Sequence, residues 1–507
     1  MSRTWSIAIL AALGIGGVAL ALAVSTNGHG RAGRASAAPP PVVFIVFDEF
    51  SSTSLLDRQH RIDPVRYPAF ASLAAGATWF PYATASVDET GRAMEALLTG
   101  STPPRGRLAT YAFNQRNLFT LLGHRWRIDA SEEVTSMCPR RLCPHVRPQN
   151  HLSILHELAH WRPRRFERWV RTIGPSSKPT LFFKHALLPH GPFEYLPSGR
   201  SYAAPHEPIP GYAHAFFSRW VTEQKYQRHL LQLSFTDRLL GSALRRLRET
   251  GLYDRSLIVV TADNGESFGR LGNGHEISSR DVGDIALTPL IIKAPYQRRG
   301  RIVTRHVRTV DVLPSVAHLL HLRLPWRTQG RSIYGAAGRR IPAATTVIQR
   351  SGRRFTLRLG RLRRWAAGAL QLKLGLFGSG NEPPGLYGIG PYRGLVGASL
   401  AGLHPAPSGA GSATLDGARA FRAVSLSSSF LPTHVTGQVR GGAPPAVAVA
   451  VSGRIAATSP TFRIQPGGPL YFSALLPESA LRDGPNPVEL LSVAGSPQTP
   501  LLGVLWP

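Results

Sequence analysis

The sequence is short of acids, cysteine and methionine. Its 507 residues hold 29 Asp+Glu against 59 Lys+Arg, a formal net charge of +30, with two Cys and three Met. Two cysteines cannot staple a chain of this length, so it must fold by burial, and a hydrophobic fraction of 43% is enough for ordinary packed cores. Gly 50 and Pro 42 are high but follow no period, which excludes collagen-like and coiled-coil architectures. A charged fraction of 17% is too low for a wholly disordered chain. The arginines run along the whole chain rather than forming one basic arm. Zinc-finger spacing, a helix-turn-helix signature and an RNP-like aromatic run are all missing, so nucleic acid is not the expected partner. What the charge leaves open is a basic surface by composition, or attraction to anionic lipids or wall polymers. Against so few acids, the pair Asp48-Glu49 stands out.

What is present begins with an uncharged apolar run, Trp5 to Val24, about the length a helix needs to cross the hydrocarbon core. Arg3 precedes it, which predicts a cytoplasmic N-terminus and an exported remainder. Two outcomes fit: an uncleaved signal anchor, which the length favours, or cleavage near Ala35-Ser36-Ala37 and secretion. Residues 25–41 read as a flexible linker. In an exported chain Cys138 and Cys143 are expected to form a small structural loop disulfide.

From residue 42 onward, strands and helices alternate. Val42–Phe47, Thr180–Lys184 and Leu257–Thr261 are unbroken apolar runs, suited to strands buried on both faces. Pro68–Ala75, Ala93–Leu98, Arg228–Thr250 and Thr309–Leu322 read as helices. The expected fold is α/β, a mixed sheet sandwiched by helices, with an N-terminal transmembrane helix and a smaller β-rich C-terminal module. The division is residues 1–24 anchor, 25–41 linker, 42–340 catalytic domain, 341–429 linker and irregular segment, and 430–507 β-rich module. Helix signals fade after about residue 340. Ala446–Val451 and Thr461–Ile464 read as strands of the last module.

Two of the apolar strands end in acids: Asp48-Glu49 after the first, Asp263-Asn264 after the third. In an open α/β sheet, ligands sit beyond the carboxyl ends of the strands, so both pairs point to one rim. Such oxygen-rich groups suit one hard divalent cation, Mn²⁺, Mg²⁺ or Ca²⁺. Acids after strands also serve as turn-formers and helix caps, and Thr90 alone reads equally as an N-cap.

The segment SVDETGRAMEALLTG, residues 86–100, resembles the sulfatase branch of the alkaline phosphatase superfamily, where the nucleophile lies ten residues before the Gly of an LLTG-like tetrad. That position is Thr90, which resembles the threonine nucleophile of lipoteichoic acid synthases and phosphoethanolamine transferases. HALLPHGPFEYLPSGRSY, residues 185–202, resembles the family's His-x-Pro-His-x-Pro region. The stretch 256–276 resembles its strand, Asp-Asn-Gly and Gly-His, and residues 309–332 resemble the stretch that closes its domain. The resemblance implies Asp48, Asp263, Asn264 and the Thr90 oxygen as cation ligands, and Glu49 as a fifth ligand or an acceptor beside them. It implies His190 as proton donor or anion contact, with His185 on the same proline-fixed loop, and His275 as a further catalytic histidine. Arg92 is a candidate anion contact. The family's Cys or Ser, oxidised to formylglycine, is here a threonine, and its Pro-Ser-Arg is here Arg92, Ala93 and Met94. The expected function is therefore a membrane-anchored, extracytoplasmic, metal-dependent enzyme that hydrolyses or transfers phosphate or sulfate esters. The alternatives are a true sulfuric ester hydrolase and an inactive surface-binding protein that keeps the fold. A lipid, glycolipid or wall polymer is the substrate that a membrane location implies.

Overall fold

A computed structural model describes residues 38–146, 157, 161–202, 209, 218–268, 277–278, 281–335, 344–407 and 411–506. The apolar run and most of the linker before residue 42 lie outside these residues. Among the described residues, no helix is long and apolar enough to cross a membrane.

The main sheet has seven strands. They are β1 (Val42–Asp48), β2 (Thr78–Trp79), β4 (Arg127–Ser131), β5 (Thr180–Pro189), β6 (Leu257–Ala262), β8 (Leu290–Lys293) and β9 (Arg301–Ile302). Their order is β4-β5-β1-β6-β8-β2-β9, with β1 flanked by β5 and β6 in parallel and β8 running antiparallel to β6. A three-stranded sheet joins β3 (Ala83–Thr84), β7 (Leu287–Thr288) and β10 (Val307–Arg308).

The alternating side chains of β1 explain the layers. Val43, Ile45 and Phe47 enter a core that includes side chains of α1 (Pro68–Ala75), α4 (Arg162–Thr172) and α5 (Arg219–Glu249). Val42, Phe44 and Val46 enter the opposite core, against α2 (Thr90–Thr99), α3 (Leu118–Leu122) and α7 (Val312–Leu319). The helix expected over Thr309–Leu322 begins as a 3₁₀ turn over Thr309–Asp311, and Pro314 sits in the first turn of α7, where its missing N–H is not needed. α5 starts nine residues before the expected Arg228, at Arg219, with the Ser218 side chain accepting from Val221 N.

Two expectations fail beyond residue 340. A 19-residue helix, α8 (Leu359–Phe377), follows the hairpin of β11 (Ala344–Ile348) and β12 (Arg354–Arg358). Three glycines and many exposed arginines dilute its apolar pattern, while Leu362, Leu370 and Phe377 are buried. Thr461–Ile464 is not a strand; Phe462 makes one isolated bridge, to Tyr471. The C-terminal strands form two sheets. One joins β13 (Ser412–Ala413), β14 (His434–Arg440) and β17 (Leu470–Leu475). The other runs β16-β15-β18-β19, with β15 at Ala446–Val451, β16 at Arg454–Pro460, β18 at Val488–Gly495 and β19 at Pro500–Trp506. The first of these sheets is stitched to α5, where Trp220 Nε1 and Gln224 Nε2 both donate to Ser473 O of β17.

α1 lacks a cap of its own and takes one from α5: both carboxylate oxygens of Asp237 accept, from Ala69 N at 3.1 Å and Phe70 N at 2.8 Å. Burial pushes the Asp237 carboxyl up to about 6. Asp237→Ala strands two buried N–H groups, at a cost of about 3 kcal/mol. The expected outcome is an unfolding midpoint several degrees lower by scanning calorimetry, with about half that loss for Asp237→Asn, which keeps one acceptor.

Candidate metal and nucleophile site

Register builds the site. Phe47 of β1 lies opposite Ala262 of β6, so Asp48 and Asp263 leave neighbouring strand ends together. Val46 lies opposite His185 of β5, so the imidazole emerges on the same face as Asp48, two residues further along β1. Asp48, His185 and Asp263 are fully buried, and one ligand atom from each lies within 4.8 Å of the others. His185 therefore sits inside a strand and not on the proline loop, and its ring joins the carboxylate cluster rather than accompanying His190. The strand position was concealed by Pro189, which ends β5 instead of starting a loop four residues earlier.

Thr90 is the first residue of α2, with Glu89 in the cap position, so it is not an N-cap. Its half-buried hydroxyl donates to Asp48 Oδ1 at 3.2 Å. The helix stops at Gly100, whose φ of +73° is open to glycine at low cost. Asp263 Oδ1 accepts from Glu49 N at 3.1 Å and Asn264 N at 2.7 Å. Asp263 Oδ2, Asn264 Oδ1 and His185 Nε2 are buried without a hydrogen-bond partner. Glu49 holds a φ of +59°, a conformation that costs a residue with a Cβ on the order of 1 kcal/mol and recurs at functional sites. Its carboxylate pairs with His190 Nε2 at 3.2 Å. Gly265 is required by space, since a Cβ there would lie 2.3 Å from Asp284 O.

Burial, then the charge of Glu49, raises the Asp48 carboxyl well above the usual range. Burial, then the charge of Asp48, does the same to Asp263. Two carboxylates this close repel by roughly 3–4 kcal/mol at an effective dielectric of about 20. Among the described residues neither has a Lys or Arg ion-pair partner. A divalent cation fits this arrangement: two carboxylates that need neutralising, and three buried atoms with lone pairs unspent. Burial lowers the His185 imidazole to about 4, and its Nδ1–H donates to Glu133 O, leaving Nε2 as the ligand atom.

Several residues that matter here went unnoticed in the sequence. Burial would raise the Glu133 carboxyl, yet Lys184 and Arg165 hold it down to about 2. Arg165 lies 2.9 Å from it, and the Lys184 ammonium contacts it and Ser131 Oγ. The lysine inside the apolar run TLFFK was the available signal. Arg162 donates to Leu187 O at 3.3 Å, His190 O at 2.6 Å and Pro192 O at 2.5 Å, and pairs with Glu194 at 3.0 Å. Gln232 Nε2 donates to Pro189 O and His190 O, both at 2.9 Å. Together they fix the loop that carries His190.

Arg92 does not join the hydroxyl. Two residues along a helix is a turn of about 200°, and its Nη2 donates to Pro103 O at 3.3 Å on the far side of α2. His275 lies outside the described residues. Cys138 and Cys143 are joined in a disulfide with Cα atoms 5.9 Å apart.

Comparison with known proteins gives partial matches. Residues 161–322 match the family model described as Sulfatase, a span that holds His185, His190, Asp263 and Asn264 but not Asp48 or Thr90. A multifunctional alkaline phosphatase superfamily protein, PehA of Trinickia caryophylli, is 33% identical over 100 residues, 19% of each chain. An ulvan-active sulfatase of Formosa agariphila is 24% identical over 115 residues, 22% of each. The matched segments span about a fifth of the length of these curated relatives. Among solved structures, a phosphonate monoester hydrolase of Silicibacter pomeroyi aligns at 17% identity and a TM-score of 0.44, covering 61% of this chain and 79% of its own. Over residues 161–322 the chain is thus similar to the Sulfatase family, and over a shorter stretch to a protein of the alkaline phosphatase superfamily.

Cation binding is testable through stability. Both aspartates have folded-state values raised above the ordinary carboxylate value of about 4, so their favourable contribution is complete below pH ~4 and is lost as pH rises through the folded values. In chelator, Asp263→Asn is expected to gain on the wild type as pH rises towards 8. Mn²⁺ at a hundred times its Kd should stabilise the wild type by about 2.7 kcal/mol and the variant much less. A wild-type midpoint indifferent to Mn²⁺, Mg²⁺ and Ca²⁺ rejects the site.

Proposed function

We propose that the chain is a divalent-cation-dependent ester hydrolase or transferase, with Thr90 as nucleophile and a phosphate ester as the preferred substrate. The reading is carried by one observation: a half-buried threonine hydroxyl at a helix N-terminus, bonded to one of two buried aspartates that need a cation. Asp48, Asp263, Asn264 Oδ1, His185 Nε2 and the Thr90 oxygen would hold that cation. When bound, it supplies Lewis acidity to the ester oxygens and lowers the pKa of the hydroxyl. The imidazole among the oxygens favours Mn²⁺ over Mg²⁺ or Ca²⁺.

Thr90 Oγ attacks phosphorus in line and its proton passes to Asp48 Oδ1. The free N–H groups of the first turn of α2 face the equatorial oxygens. His190, oriented by Glu49 and by the Arg162–Gln232 clamp, gives its proton to the leaving oxygen. The phospho-threonine is then released to water or to a second acceptor. Threonine cannot yield the formylglycine aldehyde, which favours phosphorus over sulfur. The sulfatase relatives keep sulfuric ester hydrolysis as the second reading. The apolar run Trp5–Val24 supports an anchored, extracytoplasmic enzyme, and the divisions near residues 340 and 430 belong to the same proposal.

Thr90→Ala is expected to lower kcat/KM for bis(4-nitrophenyl) phosphate with Mn²⁺ at least about 10³-fold, while Thr90→Ser keeps a measurable fraction. Full activity in Thr90→Ala rejects the nucleophile. Turnover of 4-nitrophenyl sulfate far above that of the phosphodiester selects the second reading.

A further inference from the structure

The basic excess has a local concentration. Between Asp311 and Glu382 the sequence holds twelve Arg, one Lys and no acid at all. The fold gathers half of those arginines in one place. Arg350 and Arg353 lie at the turn of the β11–β12 hairpin and Arg354 and Arg358 on β12. Arg361 and Arg364 lie on the first turns of α8. All six are exposed. On β12, Leu357 is buried, and with Val347 it packs against Ile285 of α6 (Val282–Ala286) and Leu287 of β7. Arg354 and Arg358, an odd number of residues from Leu357, therefore share the opposite, solvent face. Arg353 stacks over Phe355 at 5.0 Å and Arg361 over Trp365 at 5.4 Å, so aromatic contacts restrain these two exposed guanidinium groups. Among the described residues none of the six has an acidic ion-pair partner. Arg105, from the loop after α2, lies against Gly352 at the hairpin turn and extends the patch towards that loop.

The hairpin also has a fixed relation to the candidate site. Ile348 N donates to Ser86 O at 3.0 Å, Asp88 N donates to Ile348 O at 3.3 Å, and Val87 bridges Ile348 in parallel. β11, the hairpin partner of the arginine-bearing β12, is thus tied to the three residues that precede Glu89 and Thr90. The acids facing it from that segment are Asp88, which is buried, and Glu89.

We propose that this hairpin and the start of α8 form a binding rim for an extended polyanionic polymer, a sulfated or phosphorylated polysaccharide, and feed its esters to Thr90. The rim deepens the reading of Thr90 as nucleophile, on which its supply of esters rests, but the binding itself does not depend on it. Unpaired guanidinium groups are suited to bidentate contacts with sulfate and phosphate oxygens. Their spacing along a strand matches a repeating anion better than a single small ester. A lipid surface is less favoured, because the rim borders the nucleophile segment and carries arginine with few exposed large apolar side chains.

The test uses the full chain with Mn²⁺ and fluorescent dextran sulfate, read by anisotropy at two salt concentrations, with phosphatidylglycerol vesicles in parallel. R350Q/R353Q/R354Q/R358Q is compared with R419Q/R422Q/R440Q/R463Q, which removes the same charge from the C-terminal region. The smaller pair R354Q/R358Q, on the solvent face alone, serves if the hairpin quadruple misfolds. The hairpin variant is expected to bind dextran sulfate at least tenfold more weakly and with a shallower salt dependence, and the control to stay within about twofold. Turnover of bis(4-nitrophenyl) phosphate should change little in the control set. Equal weakening in both sets would reduce the effect to net charge and overturn the rim. Loss of vesicle binding with dextran sulfate binding intact would assign the patch to lipid and overturn it too. Thr90→Ala should bind dextran sulfate like the wild type, so a failed nucleophile and a failed rim give different results.

Discussion

Two buried carboxylates at the ends of adjacent parallel strands set the terms for the rest of the molecule. Asp48 and Asp263 are placed by backbone register, which no side-chain rearrangement can undo. Both are buried, and among the described residues no Lys or Arg pairs with them; burial and then the Glu49 charge raise Asp48, and burial and then the Asp48 charge raise Asp263. Such a pair persists in a fold only if something positive joins it, a proton or a cation. The surroundings favour the cation. The backbone N–H groups of Glu49 and Asn264 occupy Asp263 Oδ1 and leave Oδ2 free, the Thr90 hydroxyl approaches Asp48, and burial keeps His185 neutral.

The contrast with Glu133 shows that burial alone is not the cause. Glu133 is equally buried, yet Lys184 and Arg165 meet it directly and hold it ionised. Its role is to anchor: its backbone carbonyl takes the His185 Nδ1–H and its carboxylate takes Leu187 N at 3.2 Å. One acid is satisfied by protein cations and orients a ligand; the other two are left for an ion. The same division of labour recurs at His190. Its ring faces Glu49 on the open side, while its backbone is gripped from α4 by Arg162 and from α5 by Gln232. Removing one member of such a network strands the others in a low-dielectric interior, so positioning errors there would be costly.

How much of this was legible in the sequence depends on whether the signal was local. Apolar runs ending in Asp48 and Asp263 gave the central strands and the rim, because a strand buried on both faces needs no alternation. The ten-residue interval from Thr90 to Gly100 gave the helix that begins at Thr90, because its start and its glycine stop lie on one element. His185 was misplaced because its position depends on which residue of β1 it faces, and pairing register is not written in either strand alone. Arg92 was misassigned because nearness in sequence to Thr90 is not nearness on a helix. Arg162, Gln232 and Glu133 sit on three separate elements and meet only in the fold. α8 was missed because its glycines and arginines blur the 3.6-residue pattern that its buried leucines follow.

The charge distribution links the interior to the surface. The inner site concentrates acids, with Asp48, Glu49 and Asp263 around one point, whereas the hairpin and the start of α8 expose the six arginines of the proposed rim and no acid. An anionic substrate would therefore meet attraction outside and repulsion inside. At physiological ionic strength the Debye length is about 8 Å, so the rim acts on groups within its immediate reach and does not cancel the buried negative charge. Only a cation seated between Asp48 and Asp263 reverses the sign at the centre. Affinity for a polymer and competence towards its ester are then separable properties, the first belonging to exposed arginines and the second to occupancy of the buried site. On the proposed reading, a chain with this arrangement would hold its substrate without cleaving it until the ion is in place.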